Sequence, residues 1–148
     1  MAGKIHAAIS EQPLDINKAY SFVSDAGHGA FNSFIGAVRD RNFGKDVEGV
    51  SYDVFEALAV KTLQGICKTI RDKQDGKINI FIGHFKGRLP VGGISVVIAV
   101  STPHRAESFE ACRTLIEALK HHAPIWKQEH YTDGDSEWVR GHALCQSE

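Results

Sequence analysis

A stripe of apolar side chains at helical spacing most constrains what this chain can fold into. Over residues 55–70 the mainly apolar positions recur every third or fourth residue, with lysine, arginine and glutamate at positions between them. The stripe consists of Phe55, Leu58, Ala59, Thr62, Leu63, Ile66, Cys67 and Ile70. Because this period matches the 3.6-residue turn of an α-helix, the segment predicts an amphipathic helix with one buried face. Asp75-Gly76 should end it.

A run of β-branched residues predicts a strand buried on both faces. Ile94–Val100 is almost wholly apolar, a pattern typical of a strand covered by other elements. Three further strands are predicted from their content of Phe, Ile and Val, namely Ala30–Arg39, Val47–Val54 and Lys77–Ile82. Gly83–Gly93 is rich in glycine, contains one proline and is predicted to be a connection.

Two more helices are predicted, one towards each end of the chain. Asp15 can cap a helix over Asp15–Asp25, whose apolar residues follow helical spacing. A third helix should begin with Thr102 as its cap and Pro103 at its first position, and end before Pro124. The expected buried stripe of this third helix is Phe109, Cys112, Ile116 and Leu119.

The order of these elements is helix, two strands, helix, two strands, helix, and 148 residues suit one domain. We therefore predict a single α+β or α/β domain over residues 1–148, with residues 140–148 as a disordered tail. A net charge of −1 excludes the overall basic field of a nucleic-acid-binding protein. Residues 1–9 lack the apolar run of a signal peptide and no stretch is long enough to span a membrane, so we expect a cytoplasmic protein.

The three cysteines give no sign of a disulfide framework or a zinc site. Cys67, Cys112 and Cys145 are odd in number and far apart along the chain. Cys67 and Cys112 fall on apolar helix faces, which predicts that they pack in the core. The eight histidines show no metal-ligand spacing either. Any active site is therefore expected to be free of metal.

Two basic clusters lie at the two ends of the third predicted helix. The front cluster is Ser101–Arg105, and the back cluster runs from Lys120 to Lys127-Gln128-Glu129. Residues 104 and 120 of one continuous helix would lie roughly 24 Å apart at about 1.5 Å per residue. A small substrate cannot touch both ends. Either there are two sites, or a second subunit brings one chain's front end to the other chain's back end.

The chemistry of each cluster suits an anion. His104 and Arg105 add positive charge at a helix N-terminus, where the dipole disfavours it, and a bound phosphate or carboxylate would offset that conflict. The alternative is that both side chains point into water. The positive charge of Lys120 is favourable at a helix C-terminus whether or not the residue has a function. Lys127 follows the stiff segment Pro124-Ile125-Trp126 and could serve as an acid, base or nucleophile.

Other cations are weaker candidates. Arg39 closes a predicted strand and could bind an anion or pair with a neighbouring acid such as Asp40. Lys86 and Arg88 flank Gly87 in a loop that lacks the phosphate-binding P-loop pattern. The apparent site is cationic, which suits acid–base and electrostatic work on an anionic substrate.

Taken together and in order, these segments resemble the large, catalytic subunit of molybdopterin synthase. The resemblance runs from Gln12 to Val139. The segments that carry it are Gly36–Asp40, Ser101–Arg105, Phe109–Cys112, Lys120 and Pro124–Glu129. It implies an α+β fold of the α/β hammerhead-like type, with a mixed or antiparallel sheet and three main helices.

The resemblance implies a sulfurtransferase of molybdenum cofactor biosynthesis that needs no cofactor of its own. Such enzymes convert cyclic pyranopterin monophosphate to molybdopterin. They use sulfur from the C-terminal Gly-Gly thiocarboxylate of a small ubiquitin-like subunit, in a heterotetramer built on a dimer of large subunits. By this resemblance Lys120 and Lys127 are catalytic. The substrate-binding residues would be Ala37, Val38, Arg39, His104, Arg105, Lys120, Lys127, Gln128 and Glu129.

One segment departs from the family pattern. The family often has His-Arg before the x-Gly of the central connection, where this chain has His84-Phe85-Lys86-Gly87. Lys86 or Arg88 would have to replace the missing arginine. Two alternatives stay open: a non-catalytic module that binds a ubiquitin-like protein, and an unrelated metal-free enzyme acting on a phosphorylated metabolite.

Overall fold

The computed structural model describes residues 2–140, which form three helices and two β-sheets. The helices are α1 (Ile16–Val23), α2 (Glu56–Lys73) and α3 (Arg105–His122). The strands are β1 (Ile5–Ser10), β2 (Ala30–Ala37), β3 (Arg41–Asn42), β4 (Lys45–Val54), β5 (Asn79–Phe85), β6 (Gly87–Pro90), β7 (Ile94–Thr102), β8 (Ile125–Tyr131), β9 (Gly134–Asp135) and β10 (Val139–Arg140). The predicted α+β class with three main helices is confirmed.

The first sheet has four strands in the order β1-β5-β7-β2. β1 pairs with β5 in parallel, and β7 pairs antiparallel with both β5 and β2. All seven residues of β5 are buried, because helices cover both faces of this sheet. α1 covers one face through Ala19 and Val23, while residues of α2 and α3 such as Leu63 and Leu115 pack against the other.

The second sheet is antiparallel, with β4 paired to β3, β6 and β8, and with β9 and β10 along β8. Its inward side chains, including Val50 and Ile125, extend the main core that α2 and α3 form with the first sheet. One continuous core therefore joins the two sheets, and the end of α3 leads directly into β8. No helix within residues 2–140 is long and apolar enough to cross a membrane.

The predicted helices are present, with corrections at their ends. Asp15 caps α1 as expected, its Oδ1 accepting from the backbone N–H of Asn17 at 2.9 Å. Thr102 and Pro103 do not start α3: β7 continues through Thr102 and the N-cap is His104. The Thr102 hydroxyl instead donates to the carbonyl oxygen of His104 at 2.6 Å. Phe109, expected in the buried stripe, is 64% exposed because the buried face of α3 runs through its neighbour Ser108.

Several expected strand boundaries were wrong. The predicted connection Gly83–Gly93 contains the end of β5 and all of β6. β1 and β8 are two further strands that were not predicted from the sequence, so the chain has more elements than expected. In the stripe that predicts α2, Phe55 and Leu58 are exposed, and burial begins at Ala59. Cys67 and Cys112 are buried as expected, whereas Cys145 and the predicted tail beyond Arg140 lie outside the described residues.

Candidate active site

The third helix is continuous, so its two ends are far apart. α3 has 18 residues, which corresponds to about 27 Å along its axis. His104 and Arg105 stand at the beginning of the helix, and Lys120 lies in its last turn. Within one chain the two basic clusters therefore do not meet.

An open cavity of about 360 Å³ lies at the C-terminal end of α3, where the two sheets adjoin. The first sheet contributes the end of β2 and the start of β7, and the second sheet contributes β4 and β8. Six predicted site residues line the cavity: Ala37, Val38, Arg39, Lys120, Lys127 and Glu129. The structure thus brings Arg39 together with the back cluster.

Strand β8 places Lys127 and Glu129 in this cavity because side chains alternate along a strand. Both are buried, at 7% and 6% exposure, and Lys127 lies directly across from Tyr52 of β4. Gln128 falls on the opposite face, where its side-chain amide donates to the backbone carbonyl of Ser136 at 3.1 Å. Gln128 therefore does not line the cavity, although it was predicted with its two neighbours.

A chain of hydrogen bonds connects Arg39 to Glu129. The Nη2 of Arg39 donates to Oδ1 of Asn42 at 3.3 Å, and Nδ2 of Asn42 donates to Oε1 of Glu129 at 2.7 Å. The hydroxyl of Tyr131 donates to the same carboxylate oxygen at 2.7 Å. Burial and the carboxylate of Glu129 both raise the pKa of Tyr131, so this phenol stays protonated and remains a donor.

A neutral histidine lies beneath the two lysines. The Nδ1–H of His84 donates to the carbonyl oxygen of Phe85 at 2.8 Å, and its ring meets that of Tyr52 edge-on at 5.0 Å. Burial lowers the pKa of His84 to about 4, and the charges of Lys120 and Lys127 lower it as well. The histidine therefore adds no positive charge beside the lysines at neutral pH.

The charge of the cavity selects for anions. Arg39, Lys120 and Lys127 contribute three cations against the single carboxylate of Glu129. The two lysines can donate protons or attack an electrophile, and the guanidinium can bind a phosphate or carboxylate with two N–H groups. Within residues 2–140 no group of three His, Cys, Asp or Glu side chains is placed to hold a metal ion.

The front cluster lines a different, smaller cavity. His104 caps α3 through its backbone geometry but makes no side-chain capping bond. With Lys73 and Lys77 it borders a cavity of about 270 Å³ between the end of α2 and the beginning of α3. Arg105 is exposed beside it. The carboxylates of Asp75 and Glu107 border the same cavity, so its charge is mixed, and the role of His104 and Arg105 as an anion site remains a prediction.

Other cations lie outside the main cavity. Lys86 is half-buried and Arg88 is exposed, and neither borders the cavity, so the replacement of the family arginine by one of them stays a prediction. Arg140 lies over the ring of Trp126, 5.0 Å from its centroid, and donates to the carbonyl oxygen of Ala123 at 3.0 Å.

Several residues in or beside the cavity were not predicted from the sequence. Tyr52 and Ser95 line it, and Asn42 connects two of its charged groups. Tyr52 could have been found by assigning β8 as a strand and pairing it with β4. Asn42 gives no such indication, because it sits in a segment that has the composition of an ordinary charged turn, Arg39–Gly44.

Comparison with known proteins shows the family of this chain. The family model described as MoaE protein matches residues 9–122, most of the chain. The chain belongs to the MoaE protein family. The match includes Arg39, Asn42, His104, Arg105 and Lys120.

Relatives in this family carry a consistent description. A protein of Synechococcus elongatus described as molybdopterin synthase catalytic subunit is 44% identical over 138 residues, which cover 93% of this chain and 84% of the relative. A solved molybdopterin synthase structure from Staphylococcus aureus superposes with a TM-score of 0.84 at 32% identity, covering 89% of this chain and 95% of that one. A chain from a Helicobacter pylori complex of subunits 1 and 2 of molybdopterin-converting factor superposes with a TM-score of 0.66 at 25% identity, covering 89% and 86%.

Proposed function

We propose that this chain is the catalytic subunit of a molybdopterin synthase, a sulfurtransferase of molybdenum cofactor biosynthesis. Its substrate is cyclic pyranopterin monophosphate, and its sulfur donor is the C-terminal thiocarboxylate of a small ubiquitin-like subunit. Each transfer replaces a carbon–oxygen bond of the pterin with a carbon–sulfur bond, and water then cleaves the bond between the sulfur and the carrier's acyl carbon, which returns the carrier's C-terminus to a carboxylate. We expect the enzyme to work in the cytoplasm.

The observation that carries the proposal is the cavity that gathers Arg39, Lys120 and Lys127. Both reactants are anions, a phosphorylated pterin and a thiocarboxylate, and three cations lower the repulsion between them. None of the residues that line the cavity is a cysteine, and Cys67 and Cys112 are buried in the core, so the sulfur should come from outside.

We assign the central role to Lys120, as an acid or base or as a transient covalent partner of the carrier. Lys120 and Lys127 approach the same cavity from different elements, a helix end and a strand, which holds both amines in place. Arg39 binds the phosphate or the pterin. The carboxylate of Glu129 keeps the cationic side chains in position. Gln128 lies on the opposite face of β8 and takes no part in the sulfur transfer.

His104 and Arg105 enter the proposal through a second copy of the chain. The 18-residue length of α3 prevents them from reaching the cavity of their own chain. In a homodimer, the front end of one chain would complete the cavity at the back end of the other, and each dimer would bind two small subunits. This arrangement gives every cavity two further groups for the substrate's anionic parts.

The decisive assay mixes cyclic pyranopterin monophosphate with the chain and a thiocarboxylated ubiquitin-like partner, and measures molybdopterin. Lys120→Ala should abolish the product while leaving the complex with the partner assembled. Lys61→Ala, which removes an exposed lysine of α2, is the matched control and should keep wild-type turnover. Near-normal turnover by Lys120→Ala would rule out the assigned mechanism. A complex that assembles without any turnover by the wild type would favour a binding module instead.

Mixing inactive variants tests the shared cavity. After subunit exchange between Arg105→Ala and Lys120→Ala, each mixed dimer holds one intact site, so activity should recover to about a quarter of wild type. Mixing Arg39→Ala with Lys120→Ala is the matched control, because these residues line one chain's cavity and no intact site can form. No recovery in the first mixture despite verified exchange would contradict the cross-subunit site.

A further inference from the structure

Asn42 is buried where its surroundings are exposed. Its exposure is 3%, whereas Arg41 before it and Phe43 after it are exposed. It belongs to the two-residue strand β3, which pairs with the beginning of β4. A buried amide in a surface hairpin needs hydrogen-bond partners, because an unsatisfied polar group in the interior is costly.

Both ends of this amide bind charged groups of the cavity. The carbonyl end accepts from Nη2 of Arg39 at 3.3 Å, and the NH₂ end donates to Oε1 of Glu129 at 2.7 Å. Only a group with an acceptor at one end and a donor at the other can make both bonds. An aspartate of the same shape could accept from Arg39 but would set a second carboxylate against Glu129.

The hairpin that presents Asn42 adopts a strained backbone. Asn42 lies opposite Lys45, and the two residues between them have positive φ, +52° at Phe43 and +71° at Gly44. Glycine adopts such values freely, but phenylalanine does so at a cost. The tight turn fixes the position of Asn42 relative to β4, the strand next to the one that carries Glu129.

We propose that Asn42 is a positioning residue that holds the Arg39 guanidinium and the Glu129 carboxylate in one geometry for binding the anionic substrate. Arg39 is exposed and follows the end of β2, so fixing one rotamer of its long side chain costs conformational entropy that its hydrogen bonds must offset. The bond to Asn42 points the guanidinium at the cavity. Tyr131 completes the arrangement by donating to the same carboxylate oxygen of Glu129.

This inference rests on the proposed function, and its test separates binding from chemistry. Asn42→Ala should raise KM for the pterin about tenfold and change kcat much less, since loss of the bonds to Arg39 and Glu129 leaves the groups that bind the anion less well positioned. Asn42→Asp should be more damaging than Asn42→Ala, because it adds repulsion. In the double variant Asn42→Asp with Glu129→Gln, the donor and acceptor are exchanged, and KM should recover relative to Asn42→Asp alone.

Arg41→Ala provides the matched control within the same hairpin. Arg41 pairs with Asp46 at 2.7 Å and donates to the carbonyl oxygen of Gly44, away from the cavity. This variant loosens the hairpin but should leave KM unchanged. Equal changes in KM and kcat for Arg41→Ala and Asn42→Ala would show that Asn42 serves only the fold, and would overturn the proposal.

A second measurement does not depend on turnover. A crystal structure of Asn42→Ala should show the Arg39 guanidinium displaced from the cavity. Calorimetry should show that this variant binds inorganic phosphate more weakly than the wild type. Unchanged positions of Arg39 and Glu129 with unchanged phosphate binding would refute the inference. If the wild type produced no molybdopterin, the proposed function would fail, while this comparison would still decide the role of Asn42.

Discussion

Acid should destabilise this protein through one buried histidine. His84 is 2% exposed, and burial keeps its ring neutral even though the hydrogen bond from its Nδ1–H to the carbonyl oxygen of Phe85 favours the protonated form. Burial, aided by the nearby charges of Lys120 and Lys127, lowers its pKa from 6.5 to about 4. Protonation would therefore place a buried positive charge beside two lysines, which the folded state resists until the pH is low.

The sign and size of the effect follow from proton linkage. Between pH 6.5 and pH 4 the unfolded chain binds a proton at His84 that the folded chain does not, so the free energy of unfolding falls as the pH falls. Above pH 6.5 the contribution of this group is fully present. The loss should be about 2 kcal/mol at pH 5 and about 3 kcal/mol below pH 4.

Urea unfolding of the wild type and of His84→Gln measures this contribution. Glutamine cannot titrate, so between about pH 7.5 and about pH 5 the difference in unfolding free energy should shift by about 2 kcal/mol in favour of the variant. The pKa of His6 is also lowered by burial, but His6 is present in both proteins and cancels. His121→Gln, at an exposed position of α3, should follow the wild-type profile. Parallel profiles for the wild type and His84→Gln would refute the reasoning.

Three further predictions concern the stability and reactivity of single residues. Phe43→Asn should raise the melting temperature by about 2–4 °C, because asparagine tolerates positive φ and Asn-Gly is the preferred pair in such a turn; a lower value would mean that Phe43 packs usefully. Leu63→Ala should cost about 2–5 kcal/mol in chemical unfolding, since Leu63 is fully buried, whereas the exposed Leu58→Ala should cost much less. Burial raises the pKa of the Cys67 thiol to about 12, so it should resist a thiol reagent until urea unfolds the chain, and fast labelling of the native protein at Cys67 would contradict its burial.

The elements found from the sequence are those whose residues obey one rule throughout. α2 was predicted from its apolar stripe, and β7 from its β-branched run, because the core alone determines both. The boundary of α3 was wrong because Thr102-Pro103 is a common helix start, yet here Thr102 still pairs with Ala30 in the first sheet. Tertiary pairing decided between two acceptable local structures.

β8 was missed because the residues that line the cavity interrupt its pattern. Its inward face should be apolar, but Lys127 and Glu129 occupy two of the inward positions to line the cavity. Periodicity therefore fails on the strand where charged residues that line a cavity replace apolar residues that pack in the core. The lysines themselves were predicted from their charge and from the resemblance. Asn42 was not, because its partner Glu129 lies 87 residues further along the chain.

The length of α3 has a consequence for inheritance. If each cavity combines one chain's back end with the other chain's front end, a defect at Lys120 alone spoils one cavity of a mixed dimer. A cell that makes normal and variant chains equally would then keep about half of its sites. A chain with defects at both Arg105 and Lys120 would spoil both cavities of every mixed dimer and leave about a quarter. The same two substitutions on different alleles would also leave about a quarter, because only the mixed dimers would then hold one intact cavity each. The span of a single helix would thus set how far a defect in one chain reaches into the cavity of its partner.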